Sequence, residues 1–423
     1  MRVASSFLAV FVLALAVAFA QHDLITPETS FLPADHPAIR YSEPPKDDAV
    51  EKLNRQLKAG KAKLDYAPGV GYLPSVLKNL GINPDSQTVV FSKTSFQATR
   101  ISPRNPRAIF FNDEVSVGSV RTGEVYEVAA LDPKRGVMFY TLDTRRVKDP
   151  EFVRRDVCLQ CHMVQATLGV PGIMVASVHA DSSGLPAFRL GEPVTDHRTP
   201  LEDRWGGWFV TGMLGGQKHK GNSVISDSAR PENLTTGYAQ DAKDLSRWFE
   251  PTGYLAQVSD VVALMTLEHQ TRMTNLMTRV GWETRIAEKD GAARIEADTE
   301  YLVKYMLFAD EAPLKAPVQG VSTFTKTFAQ RGPRDRSGRS LRDFDLQKRL
   351  FKYPLSYMIY TAAFDSLPDP ARQRIYQRVY DVLTGKDQSK TFASLTTEDR
   401  SNVLTILRET KSNLPAYYKA PQP

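Results

Sequence analysis

Only two cysteines occur in the 423 residues, and a histidine directly follows the second: Cys158-Leu159-Gln160-Cys161-His162. That economy constrains the chain more than any other feature. No disulfide can staple distant segments, so the fold rests on its own core. The C-x-x-C-H spacing also carries chemistry. Two residues between the cysteines let both sulfurs reach the two vinyl groups on one edge of a porphyrin. The next residue, His162, then falls beneath the iron as an axial ligand. Two other readings use the same residues. A redox C-x-x-C pair belongs at a strand-to-helix turn in a βαβ setting, with His162 incidental. A zinc site needs four ligands, and no second C-x-x-C or H-x-x-x-H is present.

The first twenty residues have the layout of a secretory signal. Arg2 supplies the positive end, Phe7 to Phe19 is apolar, and Ala18-Phe19-Ala20 forms an A-x-A cleavage site before Gln21. The apolar run is short for a bilayer span, and no later segment reaches eighteen uninterrupted apolar residues. The expectation is a periplasmic or secreted protein, cleaved near Ala20, with no stable membrane span. The formal charge is +6, falling to +5 without Arg2. A pI near 9.1 suits an acidic redox partner or an anionic surface, and equally a mildly basic solvated exterior. No basic stripe interleaves with aromatics, which argues against nucleic acid.

The mature length predicts two or three units. Residues 21–148 read as a proline-rich lead-in, two helices and a β-rich domain. Val50, Leu53 and Leu57 share a face of a helix over 47–61, and a second helix opens in Gly71–Leu77. Short β-branched and aromatic runs follow: Thr88–Ser92, Ala108–Phe111, Val115–Val120, Val125–Ala130 and Val137–Leu142. Turn residues such as Asp132–Gly136 separate them, the pattern of an antiparallel meander. Residues 149–235 are the haem-attachment segment and Gly/Trp-rich loops, with a helix expected from Asp149-Pro150 to the motif and strands at Val170–Val178 and Trp208–Thr211. The stretch Asp196 to Trp208 concentrates His, Arg and Trp, types that line a haem edge and pair with propionates; a surface loop stapled by two tryptophans fits the same residues. Residues 236–423 are mostly helical: Ser259–Thr278 with Ser259 as N-cap and Gly281 near its end, then helices around 292–309, 341–366, 369–385 and 396–410. Gly320–Gly338 reads as an exposed basic linker. The fold class is therefore α+β: an antiparallel β-rich N-terminal region, a central haem-binding segment with glycine-rich loops, and a mostly α-helical C-terminal region.

The opposite side of the iron separates a carrier from a catalyst, because a second strong ligand closes the site. His219, in the glycine-flanked loop Gly215–Asn222, is one candidate distal ligand, and His269, on the apolar face of the long helix, is the alternative. His179 and His197 remain in the pool, His22 and His36 lie in the lead-in, and Met174, Met213 and Met358 are further options.

The Cys158–His162 segment resembles that of c-type cytochromes. The resemblance implies one covalent haem c held by Cys158 and Cys161, with His162 on the iron. It covers these five residues and departs from the small class I layout, having a β-rich stretch before the motif and about 260 residues after it. The whole chain resembles large exported mono-haem proteins that contain a cytochrome c domain, a resemblance that supplies no reaction. The reading favours an electron-transfer cytochrome, with a haem oxidoreductase of peroxidase-like or small-molecule dehydrogenase type, or a haem-based sensor, as the alternatives.

Overall fold

The computed structural model describes residues 31–225, 234–235, 241–290 and 295–419. The expected signal, its cleavage site and His22 lie outside the described residues. A seven-stranded, wholly antiparallel sheet organises the N-terminal half. Its strands are β1 (Thr88–Val90), β2 (Arg107–Phe111), β3 (Val115–Val120), β4 (Val125–Asp132), β5 (Gly136–Asp143), β6 (Val153–Arg154) and β7 (Trp208–Phe209). The spatial order β6-β5-β4-β3-β2-β1-β7 is a meander with one late strand added beside β1. A separate pair, β8 (Val224–Ile225) and β9 (Leu234–Thr235), is also antiparallel.

Alternation along the strands gives the sheet two different faces. One, with Phe110, Val117, Tyr126, Val128, Met138 and Tyr140, packs on α1 (Ala49–Lys58) and α2 (Leu73–Asn79). Asp48 caps α1 by accepting from the Val50 and Glu51 amides at 2.9 and 3.0 Å, and its other oxygen accepts from Tyr140 Oη at 2.8 Å. The cap therefore also fixes the helix to β5. The lead-in is docked as well: Tyr41 is buried and donates to the Val137 carbonyl at 2.7 Å.

The other face contributes Phe111, Leu131, Val137 and Phe139 to the main core, which extends through the C-terminal helices to Tyr418. At its centre lies α4 (Val261–Asp290), which follows the one-turn helix α3 (Leu159–His162). Two details depart from the sequence reading. Asp260, not Ser259, caps α4: its Oδ1 accepts from the Val262 and Ala263 amides, while Oδ2 accepts from Val321 and Ser322. Ser259 instead bridges two strands, accepting from the Val89 amide and donating to the Phe209 carbonyl. Nor does Gly281 end the helix, which continues nine residues further. Residues 261–284 are buried all round, so tertiary burial outweighs the modest cost of one helical glycine.

Then follow α5 (Ile295–Met306), α6 (Phe324–Gln330), α7 (Ala362–Asp365), α8 (Asp369–Leu383) and α9 (Thr397–Thr410). The expected helix over 341–366 does not form. Leu346 adopts φ 58°, Pro354 denies the ladder a donor, and only a 3₁₀ turn at Tyr357–Tyr360 and α7 are helical. The supposed linker 320–338 contains α6, and its basic loop is held down by the pairing of Arg331 with Asp113, which Arg342, just beyond the loop, also joins. The α+β class stands, with the seven-stranded sheet in the N-terminal half and the longer helices in the C-terminal half. No helix among the described residues is long and apolar enough to cross a membrane.

Candidate functional site

The motif leaves the sheet edge at β6. No helix leads into it, because the backbone groups that a helix would use are already engaged. Asn54 of α1 grips Phe152 on both sides, donating to its carbonyl at 2.8 Å and accepting from its amide at 3.0 Å. Val153 and Arg154 then pair with Thr141 and Tyr140, and the Arg155 amide donates to Phe139. A 3₁₀ turn, Asp156–Cys158, runs directly into α3. Of the three apolar residues in this segment, Phe152 is buried, but Val153 and Val157 are 45% and 64% exposed.

Within this short hook the three motif side chains differ in environment. Cys158 is half-buried and packs on the main core, Cys161 is exposed, and the two are unbridged. Burial, and next the nearby Glu127 carboxylate, push the Cys158 thiol up. His162 lies with its ring 4.8 Å from that of Phe139. Its Nδ1 is 3.0 Å from the Gly172 carbonyl, and its own carbonyl accepts from the Gly172 amide at 2.9 Å. A carbonyl oxygen can only accept, so Nδ1 carries the proton and Nε2 keeps its lone pair. Burial lowers the His162 pKa despite the Gly172 contact, so the ring is neutral near pH 7.

Gly172 is the residue that orients this ring, and α4 holds Gly172. Asn275 accepts from the Ile173 amide at 3.2 Å and donates to its carbonyl at 2.8 Å. A Cβ at Gly172 would collide with the Asn275 side chain. The same grip explains why no strand forms across 170–178, where only an isolated bridge joins Ala176 and Val194. The hydrogen bonds between Ile173 and Asn275, 102 positions apart, carry no local sequence signal.

Beside the motif, a row of cross-strand neighbours runs Ile109, Gly118, Glu127, Thr141 and Val153, buried at Gly118 and Thr141 and exposed at Val153. Arg107 shares this face and pairs with Glu127 at 2.7 Å, while Arg155 donates to Thr141 at 2.9 Å. Arg107 Nε is buried without a partner. The exposed Val153 and Val157 and an unpaired guanidinium nitrogen fit a flat, apolar group that carries carboxylates, such as haem. Neither arginine was singled out by the sequence reading.

The residues expected around a haem edge lie elsewhere. Residues 195–208 fold inward against α4, fitting neither the propionate belt nor the stapled surface loop. Arg204 pairs with Glu268 at 3.1 Å, both essentially buried, and Thr195 donates to Glu268 at 2.6 Å. His197 Nδ1 meets His269 Nδ1 at 2.9 Å, and His269 Nε2 meets Ser356 Oγ at 2.8 Å. Both ring nitrogens of His269 are thus engaged inside the core, and burial drives its pKa down to about 3. His219 is also buried, its ring edge-on to Trp205 at 5.3 Å, not reaching outward over a macrocycle. Among the methionines, Met358 is fully buried and Met213 is 40% exposed. The structure thus brings neither His269 nor His219 to the motif as a second ligand. Among the described residues, no three His, Cys, Asp or Glu side chains converge to hold a metal ion. No protein-family model matches the sequence, and neither a curated protein nor a solved structure matches it.

Proposed function

We propose that this chain is an exported mono-haem c-type protein that passes single electrons to a partner. The observation that carries this reading is the state of His162: Nδ1 donates to the Gly172 carbonyl, leaving a neutral ring with its Nε2 lone pair available. A main-chain carbonyl behind the ligating ring fixes tautomer and orientation, as metal-ligating histidines require. Cys158 and Cys161, on the 3₁₀ turn and the helix next to it, would supply the two thioether sulfurs. Phe139 backs the imidazole, and the exposed Val153 and Val157 would meet the flat ring, with Arg107 and Arg155 offering donors to its carboxylates. When bound, haem c supplies a one-electron Fe(III)/Fe(II) couple. The chain's part is to tether the group, fix the axial imidazole and keep water from one side of it. An exported setting accords with the signal-like first twenty residues, and the pI near 9.1 favours an acidic redox partner.

The test is chemical. Protein produced in a host competent for c-type haem attachment should keep its colour with the polypeptide in acidified acetone and give a pyridine haemochrome spectrum for one haem. Colour released into the solvent, or a mature mass without the added porphyrin, overturns the proposal. A reduced spectrum unchanged by carbon monoxide is the expected mark of a carrier; a shift would move the assignment to ligand chemistry.

A further inference from the structure

The haem reading leaves one feature of the site without a role. Glu127 is a carboxylate with an unusually complete set of partners. It accepts from Arg107 Nη1 at 2.7 Å on one oxygen, and from Gln97 at 2.8 Å and Ser95 at 2.5 Å on the other. Gln97 is further anchored, donating to the Val125 carbonyl and accepting from the Glu124 amide. Both members of the ion pair are under a fifth exposed. Glu127 also stands in the cross-strand row that ends at Val153, the strand leading into the motif.

We infer that the Arg107–Glu127 pair is the electrostatic control of the haem couple, with Glu127 the positioning residue that cancels the Arg107 charge beside His162. This rests on the haem assignment above and adds a role for Glu127 beside the one already given to Arg107. Their position brings them close to the motif: Glu127 faces Thr141 on β5, and Phe139, two positions before Thr141 on the same face, has its ring 4.8 Å from that of His162. Burial works to raise the Glu127 carboxyl, but Arg107 and the Gln97 and Ser95 hydrogen bonds outweigh it and keep the group ionised. Reduction of Fe(III) to Fe(II) adds one electron, and hence one negative charge, to the centre. A guanidinium left without its carboxylate therefore favours the reduced form.

The experiment is a redox titration of the haem-loaded, full-length mature protein, followed optically. Glu127→Gln keeps the shape and removes the charge, and should shift the one-electron equilibrium toward Fe(II) by roughly tenfold, about 59 mV more positive. The double variant Glu127→Gln/Arg107→Gln removes both charges and should return most of the way to the parent value. A general loosening of the site would not be undone by a second deletion. Haem bound in the parent and both variants with unchanged potentials, or a double variant displaced as far as the single one, overturns this inference alone. A parent protein that binds no covalent haem overturns the haem assignment and this inference with it.

Discussion

His162 and His269 lie against the same main core but are used in opposite ways. His162 sits at the half-open edge of the sheet, with one nitrogen tied to the Gly172 carbonyl and the other available. His269 sits in the middle of α4, with His197 on one nitrogen and Ser356 on the other, and rings of Tyr305 and Phe308 stacked on it. The first is oriented for a ligand and the second is a satisfied core residue. Side-chain type does not distinguish them. The state of the second nitrogen does, and the surrounding fold sets it. The same contrast separates Arg107, whose Nε lacks a partner, from Arg204, which donates to Glu268 and to the carbonyls of Thr199 and His197.

The strongest way to break this contrast is to delete chemistry on the open side. Cys158→Ala/Cys161→Ala should abolish covalent pigment, read by haemochrome assay, while the far-ultraviolet circular dichroism of the chain persists. Pigment retained through acid extraction would remove the motif from the argument. On the closed side, Arg204→Ala leaves Glu268 buried without its ion-pair partner and should cost about 3–5 kcal/mol in urea unfolding. A loss below about 1 kcal/mol would mean that the inward belt is not a structural buttress.

The pH dependence of the two buried groups sharpens the comparison, because their signs differ. His269 is held neutral, its pKa driven down to about 3 by burial, against about 6.5 in an unfolded chain. The unfolded state therefore binds the extra proton first, and stability is complete above pH 6.5 and lost as pH falls toward 3. His269→Gln should flatten that acid slope and leave any haem spectrum unchanged. Glu311, which accepts from the Leu350 amide at 2.8 Å, is pushed up to about 7 by burial. Its proton stays on in the fold, so its contribution is present below about pH 4.5 and lost as pH rises through 7. Glu311→Gln should remove a slope of at most about 1.4 kcal/mol per pH unit in that window. Equal slopes for parent and variants in both windows would show that neither group titrates across unfolding.

Legibility from the sequence followed the range of the interactions. The strands of the meander, α1, α8 and α9 were readable because their periodicity and caps are local; Thr396 and Asp399 form a reciprocal capping box at the start of α9. The helix expected before Cys158 failed because Asn54 holds Phe152 extended from about a hundred positions away. The helix over 341–366 failed because its apolar residues reach the core from irregular chain, a pattern that burial alone can mimic. The motif was visible at once, since its spacing is the chemistry. Its supports, Gly172, Asn275, Arg107 and Glu127, were not, because each acts through a tertiary or cross-strand contact that no local spacing marks. The Asp196–Trp208 cluster misled for the converse reason: His and Arg also suit a buried polar network when Glu268 and His269 of α4 are there to partner them.

The smallest effect is the most discriminating for the surface beside Cys158. Val157 is 64% exposed in the 3₁₀ turn that carries the first cysteine. An apolar side chain already in water loses little when made polar, so Val157→Ser should change unfolding free energy in the chain alone by less than about 0.5 kcal/mol. If a porphyrin covers this flank, the same substitution should destabilise the haem-loaded protein more than the chain alone, because the valine then has an apolar surface to bury against. Comparing the two melts isolates the interaction. Equal changes in both forms would place Val157 outside the haem contact and require the ring to lie on another side of the motif. A large loss in the chain alone would make this hook part of the core, erasing the distinction between the open edge at His162 and the closed interior at His269.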